Sequence, residues 1–290
     1  MIPAAFDYHA PVTIPDALAL LTKYRDTAKV LSGGMSLLPL LKIRLGQAEH
    51  LIDIGRIPGL DKLREEGGFL KIGALVREST LEEVPLIRER YPILYDTARV
   101  IADPVVRNRA TVGGNLAHGD PGNDHPATML ALGAQVVVVG PKGERVIPIE
   151  KFFVGIFTTA LQPDDILTEI RVPMPAAHTG GAYVKLERKV GDYATAGAAV
   201  QLTLGAGGEI ARIGIGLTNL GPVPIKAEAA EKSLHGKKPD AAAITAASKL
   251  AAGAAAPRAD RRGSVEYKTN MARVLTARAL KLALERAGGR

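Results

Sequence analysis

Two short segments carry paired glycines flanked by small hydroxyl or polar residues: Ser32-Gly33-Gly34-Met35-Ser36 and Thr111-Val112-Gly113-Gly114-Asn115, which begin 79 positions apart. Glycine lets a backbone approach a ligand closely, and a helix start after such a turn offers free N–H groups to an anion. The first segment follows a short apolar run at residues 28–31 and leads into a helical pattern over 37–45, opening at Leu37. Taken alone, its plainer reading is an ordinary strand-to-helix turn. Two such segments in one domain can grip the two phosphates of a dinucleotide from opposite sides, which a single turn cannot. Neither a GxGxxG fingerprint nor a Walker A loop is present, so the usual NAD and ATP readings lack their motifs.

Carboxylates and turn residues cluster around the second segment, in Ile101-Ala102-Asp103-Pro104 and in His118-Gly119-Asp120-Pro121-Gly122-Asn123-Asp124. Acidic side chains beside a phosphate loop can accept hydrogen bonds from ribose or ribityl hydroxyls. The alternative is a pair of Asx-type turns; Asp120 divides evenly between the two, whereas Asp124 leans toward a ligand. Further on, the polar stretch from Lys185 to Ala194 contains Tyr193 after a Gly191-Asp192 turn. A tyrosine there can pack against a flat ring and offer its hydroxyl, or it can be a half-buried sheet residue.

The elements that must hold these residues fall into two regions, with a break near residues 172–178 where two prolines and small residues interrupt regular structure. We place domains at 1–175, with subdomains of about 1–56 and 57–175, and at 176–290, in line with the usual domain sizes. The first region mixes short apolar strands (28–31, 50–54, 69–72, 135–139) with helical patterns (37–45, 93–100, 127–132), an α/β alternation without a regular repeat. The second opens with strands at 182–189, 196–204 and 210–217, the last two joined by a glycine-rich hairpin. Helices follow at 225–233, 241–252 and 267–286, a small antiparallel sheet covered by helices and an α+β class overall.

Composition removes several kinds of chemistry. The chain of 290 residues has no cysteine, which excludes disulfides, thiolate zinc sites, cysteine nucleophiles and cysteine-ligated iron–sulfur clusters on this polypeptide. Of six histidines only His118 and His125 are near in sequence, at a spacing uncommon for helical ligands, so no metal site is expected. The formal charge of +7 is dispersed and lacks interleaved aromatic platforms, which argues against nucleic acid. No apolar run approaches the roughly 20 residues needed to span a bilayer and no secretory signal opens the chain, so the expected location is cytoplasmic.

With these residues assembled, the chain resembles the FAD-binding medium subunits of the molybdenum hydroxylases, nearest to the branch that oxidises carbon monoxide. The resemblance runs nearly end to end. It includes Ile2-Pro3-Ala4-Ala5-Phe6-Asp7-Tyr8-His9, both glycine segments, Gly119 to Asp124, Gly191-Asp192-Tyr193-Ala194-Thr195, and Asp260-Arg261-Arg262-Gly263 with Tyr267. It implies a two-subdomain FAD-binding domain of the vanillyl-alcohol-oxidase (PCMH) type, followed by a three-stranded antiparallel sheet with a helical bundle. It also implies that residues 32–37 and 111–115 hold the FAD pyrophosphate, that Ala102, Asp103, Asp120, Asp124, Leu167 and Lys185 lie around the cofactor, and that Tyr193 lies against the isoalloxazine.

Relatives commonly have Ala at the Ser32 position and His or Gln at Met35, departures that leave backbone recognition intact. The implied partners are a large molybdopterin-bearing subunit and a small subunit with two [2Fe–2S] clusters, in a dimer of heterotrimers. The implied activity is electron transfer to an external quinone or cytochrome, with no catalytic side chain here acting on the carbon substrate. A route to the inner face of the membrane would run through the partners.

Overall fold

The computed structural model describes residues 2–288; residues 1, 289 and 290, at the outer limits of the two expected domains, lie outside the described residues. Near the start, Asp7–His9 and Ala28–Leu31 flank His50–Asp53 in a three-stranded parallel sheet. The helix Ile14–Tyr24 connects the first two strands. Thr13 caps it by accepting from the Asp16 amide at 3.2 Å, and a proline occupies its first turn, where no N–H is needed. Its Ala17 and Leu21 bury against Ile52 and Ile54.

A five-stranded sheet follows, ordered Leu63–Glu66, Phe69–Gly73, Ile166–Pro173, Gln135–Gly140 and Gly143–Pro148, antiparallel throughout. The α/β alternation of the sequence therefore does not become a parallel sheet here. Two tight hairpins, one through Gly67 and Gly68 at positive φ, impose antiparallel pairing. The outer strands Leu63–Glu66 and Gly143–Pro148 escaped the sequence reading because each mixes two or three charged residues with only one or two aliphatic ones, as exposed edge strands tend to.

The third sheet holds the three long strands expected, at Thr179–Leu186, Ala196–Leu204 and Ile210–Thr218, plus a two-residue fourth at Ile225–Lys226. That fourth strand comes from residues read as the start of a helix; the helix itself is Glu228–Leu234. Side chains alternate across this sheet. Ala182, Ala196, Ala198 and Val200 pack under the helices Ala241–Ala254 and Val265–Gly288, while Tyr183 and Ala199 enter the core of the first region. The sheet is thus buried on both faces, which explains its small residues. A Cβ at Gly180 would stand 2.0 Å from the Ala283 carbonyl oxygen, so the long helix rests directly on the strand.

An ion pair ties the two regions. Arg286 donates from Nη1 to Asp96 Oδ2 at 2.5 Å, from Nη2 to Asp96 Oδ1 at 3.2 Å, and to the Gly181 carbonyl at 2.6 Å. Asp96 also accepts from the Tyr183 amide at 3.3 Å. None of the described helices is long and apolar enough to cross a membrane. Arg286→Ala leaves a mostly buried carboxylate facing no cation, so it should cost about 2 kcal/mol, discounted for partial exposure, and lower the urea midpoint of unfolding.

Candidate functional site

The first glycine segment leaves the strand Ala28–Leu31 and enters the helix Leu37–Lys42, with Gly34 at φ 80° turning the chain and Leu38 closing on the Gly34 carbonyl. Met35, Ser36 and Leu37 complete the turn, partly exposed. In the second segment Thr111 is a helix cap, and Val112, Gly113, Gly114 and Asn115 form the first turn of Val112–His118 rather than a separate loop. Thr111 Oγ1 accepts from the Gly114 amide at 3.2 Å.

The two segments meet. Ser32 Oγ and Thr111 Oγ1 share a hydrogen bond of 2.8 Å across 79 residues. A Cβ on Gly33 would fall 2.0 Å from the Arg109 carbonyl oxygen, so only glycine permits this docking. The second segment is anchored from behind by Val112 N–H to the Val76 carbonyl at 2.9 Å and Gly113 N–H to the Ala74 carbonyl at 3.1 Å. Beneath them a pair buried from solvent, His125 Nε2 and Glu78 Oε2 at 2.6 Å, joins two helices.

Ser32, Gly33 and Thr111 open onto a cleft of about 740 Å³ whose walls include Tyr8, Asp53, Arg56, Arg77 and Arg109. That volume lies within the range typical of small-molecule and cofactor sites. The three arginines against two carboxylates, Asp53 and Asp61, leave the cleft net positive, which suits a diphosphate. Asp53 is already committed, accepting from the Tyr8 hydroxyl at 2.6 Å and the Gly55 amide at 2.7 Å. The Tyr8 hydroxyl is held above its ordinary pKa, first by that hydrogen bond. Sequence patterns gave no local signal for these walls; only strand pairing brings Tyr8 beside Asp53.

A second cluster forms where the two regions join. Asp124 is buried, its Oδ1 accepting from the Tyr183 hydroxyl at 2.5 Å and its Oδ2 from Lys185 Nζ at 3.0 Å. Lys185 also donates to the Val100 carbonyl at 2.8 Å. Burial pushes the Asp124 carboxyl above the usual range, and the Lys185 charge and the hydrogen bonds offset this only in part. Tyr183 is pushed well up by burial and then by Asp124; its place opposite Asp124 was not foreseen from sequence.

Near this cluster Ala102 sits at φ 44° with its carbonyl packed against Gly191. Tyr193, about half exposed, lies with its ring edge against Gly122. Asp120 makes the Asx turn anticipated as its alternative, accepting from the Gly122 amide at 2.8 Å.

Other expected residues sit apart. Asp103 is exposed and caps its own short helix, accepting from the Val106 amide at 2.9 Å. Leu167 is a buried residue of Ile166–Pro173, beside an irregularity in its pairing with Gln135–Gly140. His118 packs on Phe157 and not on His125, and burial lowers its pKa. At the join of the two clusters Asn115 carries a buried Oδ1 with no partner, while its carbonyl accepts from Asn123 Nδ2 at 2.9 Å. A net positive cleft, two glycine segments that a side chain would close, and an unsatisfied buried acceptor between the clusters all fit an extended dinucleotide.

Residues 4–175, more than half of the chain, match the family model of the FAD-binding domain in molybdopterin dehydrogenase, and residues 181–283 match the carbon monoxide dehydrogenase flavoprotein C-terminal domain. The chain belongs to this family of FAD-binding flavoproteins. Within it, the chain is similar to the carbon monoxide dehydrogenase medium chain of Hydrogenophaga pseudoflava, 46% identical over 286 residues and 99% of each chain. A solved carbon monoxide dehydrogenase from the same organism superposes with a TM-score of 0.96 at 49% identity, covering 99% of each chain. The 6-hydroxypseudooxynicotine dehydrogenase complex subunit alpha of Paenarthrobacter nicotinovorans is 36% identical, over 99% of this chain and 97% of its own. The α+β architecture expected from the sequence is the one these matches share.

Because the Asp124 carboxyl has a raised pKa in the folded chain, it binds its proton more tightly there than when unfolded. Its stabilising contribution is present at low pH and is lost as pH rises through the folded value. Asn does not titrate. Whatever constant offset Asp124→Asn introduces, the stability difference should therefore move in favour of the variant from about pH 4 to pH 7, read as Tm against pH.

Proposed function

We propose that this chain is the flavin-carrying electron-transfer subunit of a carbon monoxide dehydrogenase, in which CO and water become CO2, two protons and two electrons on a molybdenum-bearing partner. The observation that carries this reading is the meeting of the two glycine segments, through Ser32 and Thr111, at the mouth of a positively charged cleft. The higher identity to the carbon monoxide dehydrogenase medium chain than to the 6-hydroxypseudooxynicotine dehydrogenase subunit favours this substrate.

Residues Ser32, Gly33, Gly34, Met35, Ser36 and Leu37, with Thr111, Val112, Gly113, Gly114 and Asn115, hold the FAD pyrophosphate, and Arg56, Arg77 and Arg109 supply charge along the cleft. Ala102, Asp103, Asp120, Asp124, Leu167 and Lys185 surround the remainder of the cofactor, and the half-exposed Tyr193 ring packs on the isoalloxazine. Bound there, FAD carries electrons between the iron–sulfur clusters and an external acceptor. The chain's own groups bind and orient; none acts as a base or nucleophile toward carbon monoxide. Tyr183 and Lys185 fix Asp124 in one rotamer, so that part of the wall needs little reorganisation on binding.

In this reading a small subunit with two [2Fe–2S] clusters and a large subunit with the molybdopterin cofactor complete the protomer, which pairs into a dimer of heterotrimers. It works in the cytoplasm and reaches a quinone or cytochrome at the inner face of the membrane through its partners. The division into 1–175 and 176–290, with subdomains of about 1–56 and 57–175, is supported by the strand that ends at Pro173 and the strand that begins at Thr179.

The intact complex should release close to one FAD per medium chain on denaturation, identified by chromatography and absorbance. Gly33→Ala sets a Cβ against backbone, so affinity for FAD should fall at least about tenfold, equivalent to about 1.4 kcal/mol, and the flavin content of the purified complex with it, while CO still reduces the iron–sulfur clusters. Gly114→Ala should have a milder effect, since its Cβ would meet Thr111 Oγ1 at 2.7 Å and a side chain can turn aside. Normal flavin content in both variants would overturn the assignment of the segments. Reduction of the complex by an N-heterocycle and not by CO would overturn the substrate.

A further inference from the structure

In the opening strand, Asp7 and His9 have a chemistry that flavin binding does not use. In a strand, Asp7 and His9 point to one face and Tyr8 to the other. Parallel pairing sets Asp7 opposite His50 and His9 opposite Ile52, so Asp7, His9 and His50 share the face covered by the helix Ile14–Tyr24. Tyr8 and Asp53 occupy the opposite face, toward the cleft.

His9 Nε2 and His50 Nδ1 stand 3.3 Å apart, and Asp7 Oδ2 lies 3.5 Å from His50 Nδ1. All three ligand atoms fall within 4.8 Å of one another. A tetrahedral zinc ion with bonds of about 2.0–2.1 Å needs neighbouring ligand atoms about 3.3–3.4 Å apart, so two of the three edges are already close to that length. Tyr24 stacks on His50 with centroids 3.6 Å apart and planes inclined by 20°, and it stacks on His9 at 5.3 Å. Both imidazole planes are thereby held, a positioning that ligand histidines ordinarily receive from surrounding groups.

We propose that Asp7, His9 and His50 form a binding site for one divalent transition-metal ion of the zinc class, with a fourth position open to water beside the exposed Asp7. Two imidazole nitrogens and one carboxylate suit zinc and its borderline neighbours, whereas calcium and magnesium require more oxygen ligands. The site was invisible to sequence spacing because 41 residues separate His9 from His50, and only the parallel sheet joins them. The ion would cross-link a three-residue edge strand to the centre of its sheet, on the back of the same strand that presents Tyr8 to the cleft.

The test uses the purified holo complex, equilibrated by dialysis against zinc sulfate at a series of buffered free concentrations, with bound zinc counted by mass spectrometry. His9→Ala and Asp7→Asn are compared with the parent; Asp7 has an exposed side chain, so its variant does not endanger folding, and flavin content in each sample reports an intact chain. One zinc per medium chain is expected above the level held by a His9→Ala/His50→Ala double variant. A zinc K-edge absorption spectrum should fit two imidazole nitrogens plus oxygen, and each single variant should weaken binding at least about tenfold. Zinc uptake equal in parent and variants, or none above the double-variant background, overturns the site.

Discussion

Ser32 and Thr111 touch through their hydroxyls, and much of the molecule is arranged so that they can. The hydrogen bond itself contributes on the order of 1 kcal/mol. Its larger effect is geometric, because it fixes two backbone turns from separate sheets edge to edge across one cleft. The requirement is steric: a side chain at Gly33 would push the first turn off the Arg109 carbonyl, and one at Gly113 would lift the second off Ala74. The parallel three-stranded sheet delivers the first turn, and the antiparallel sheet, through residues 74–76, anchors the second. The meeting of the two glycine segments is thus a property of the contact between two subassemblies and belongs to neither alone.

How much of this was legible in the sequence depends on the range over which each signal acts. Glycine pairs flanked by hydroxyl residues are local, and both segments were readable. The long strands of the later sheet were readable too, since their apolar residues run continuously between turn signals. Short polar strands such as Leu63–Glu66 have no such pattern, because an edge strand facing water is selected for charge. Tyr8, Arg56 and Arg77 could not be assigned to a cleft, since nothing near them in the chain differs from an ordinary surface. Asp124 leaned toward a ligand on its turn-rich context, and the structure adds that Tyr183 and Lys185, about 60 residues later, already occupy both of its oxygens.

The buried acid explains why the later sheet reaches into the first region at all. A carboxylate taken out of water needs compensating partners, and neither the Tyr183 hydroxyl nor the Lys185 ammonium belongs to the first region. A strand from the second region supplies both from one face, at alternate positions, while its other face packs under helices. Polar demand on one side and apolar demand on the other therefore select the same strand register, and a shift of one residue would violate both.

The shared core also has a temporal side. Tyr183 and Ala199 lie within the same apolar cluster as Leu70, Ile93 and Met129, and Arg286 reaches back 190 positions to Asp96. At translation rates of about 5–20 residues per second, the interval between synthesis of those two ends is on the order of 10–40 s. During that time the helices Pro92–Arg99 and His125–Leu132, already made, keep apolar faces exposed until the strands that carry Tyr183 and Ala199 have been synthesised and can pack on them. The Asp124 cluster is consequently a late product of biogenesis, since the acid at its centre is made 59 and 61 residues before its two partners.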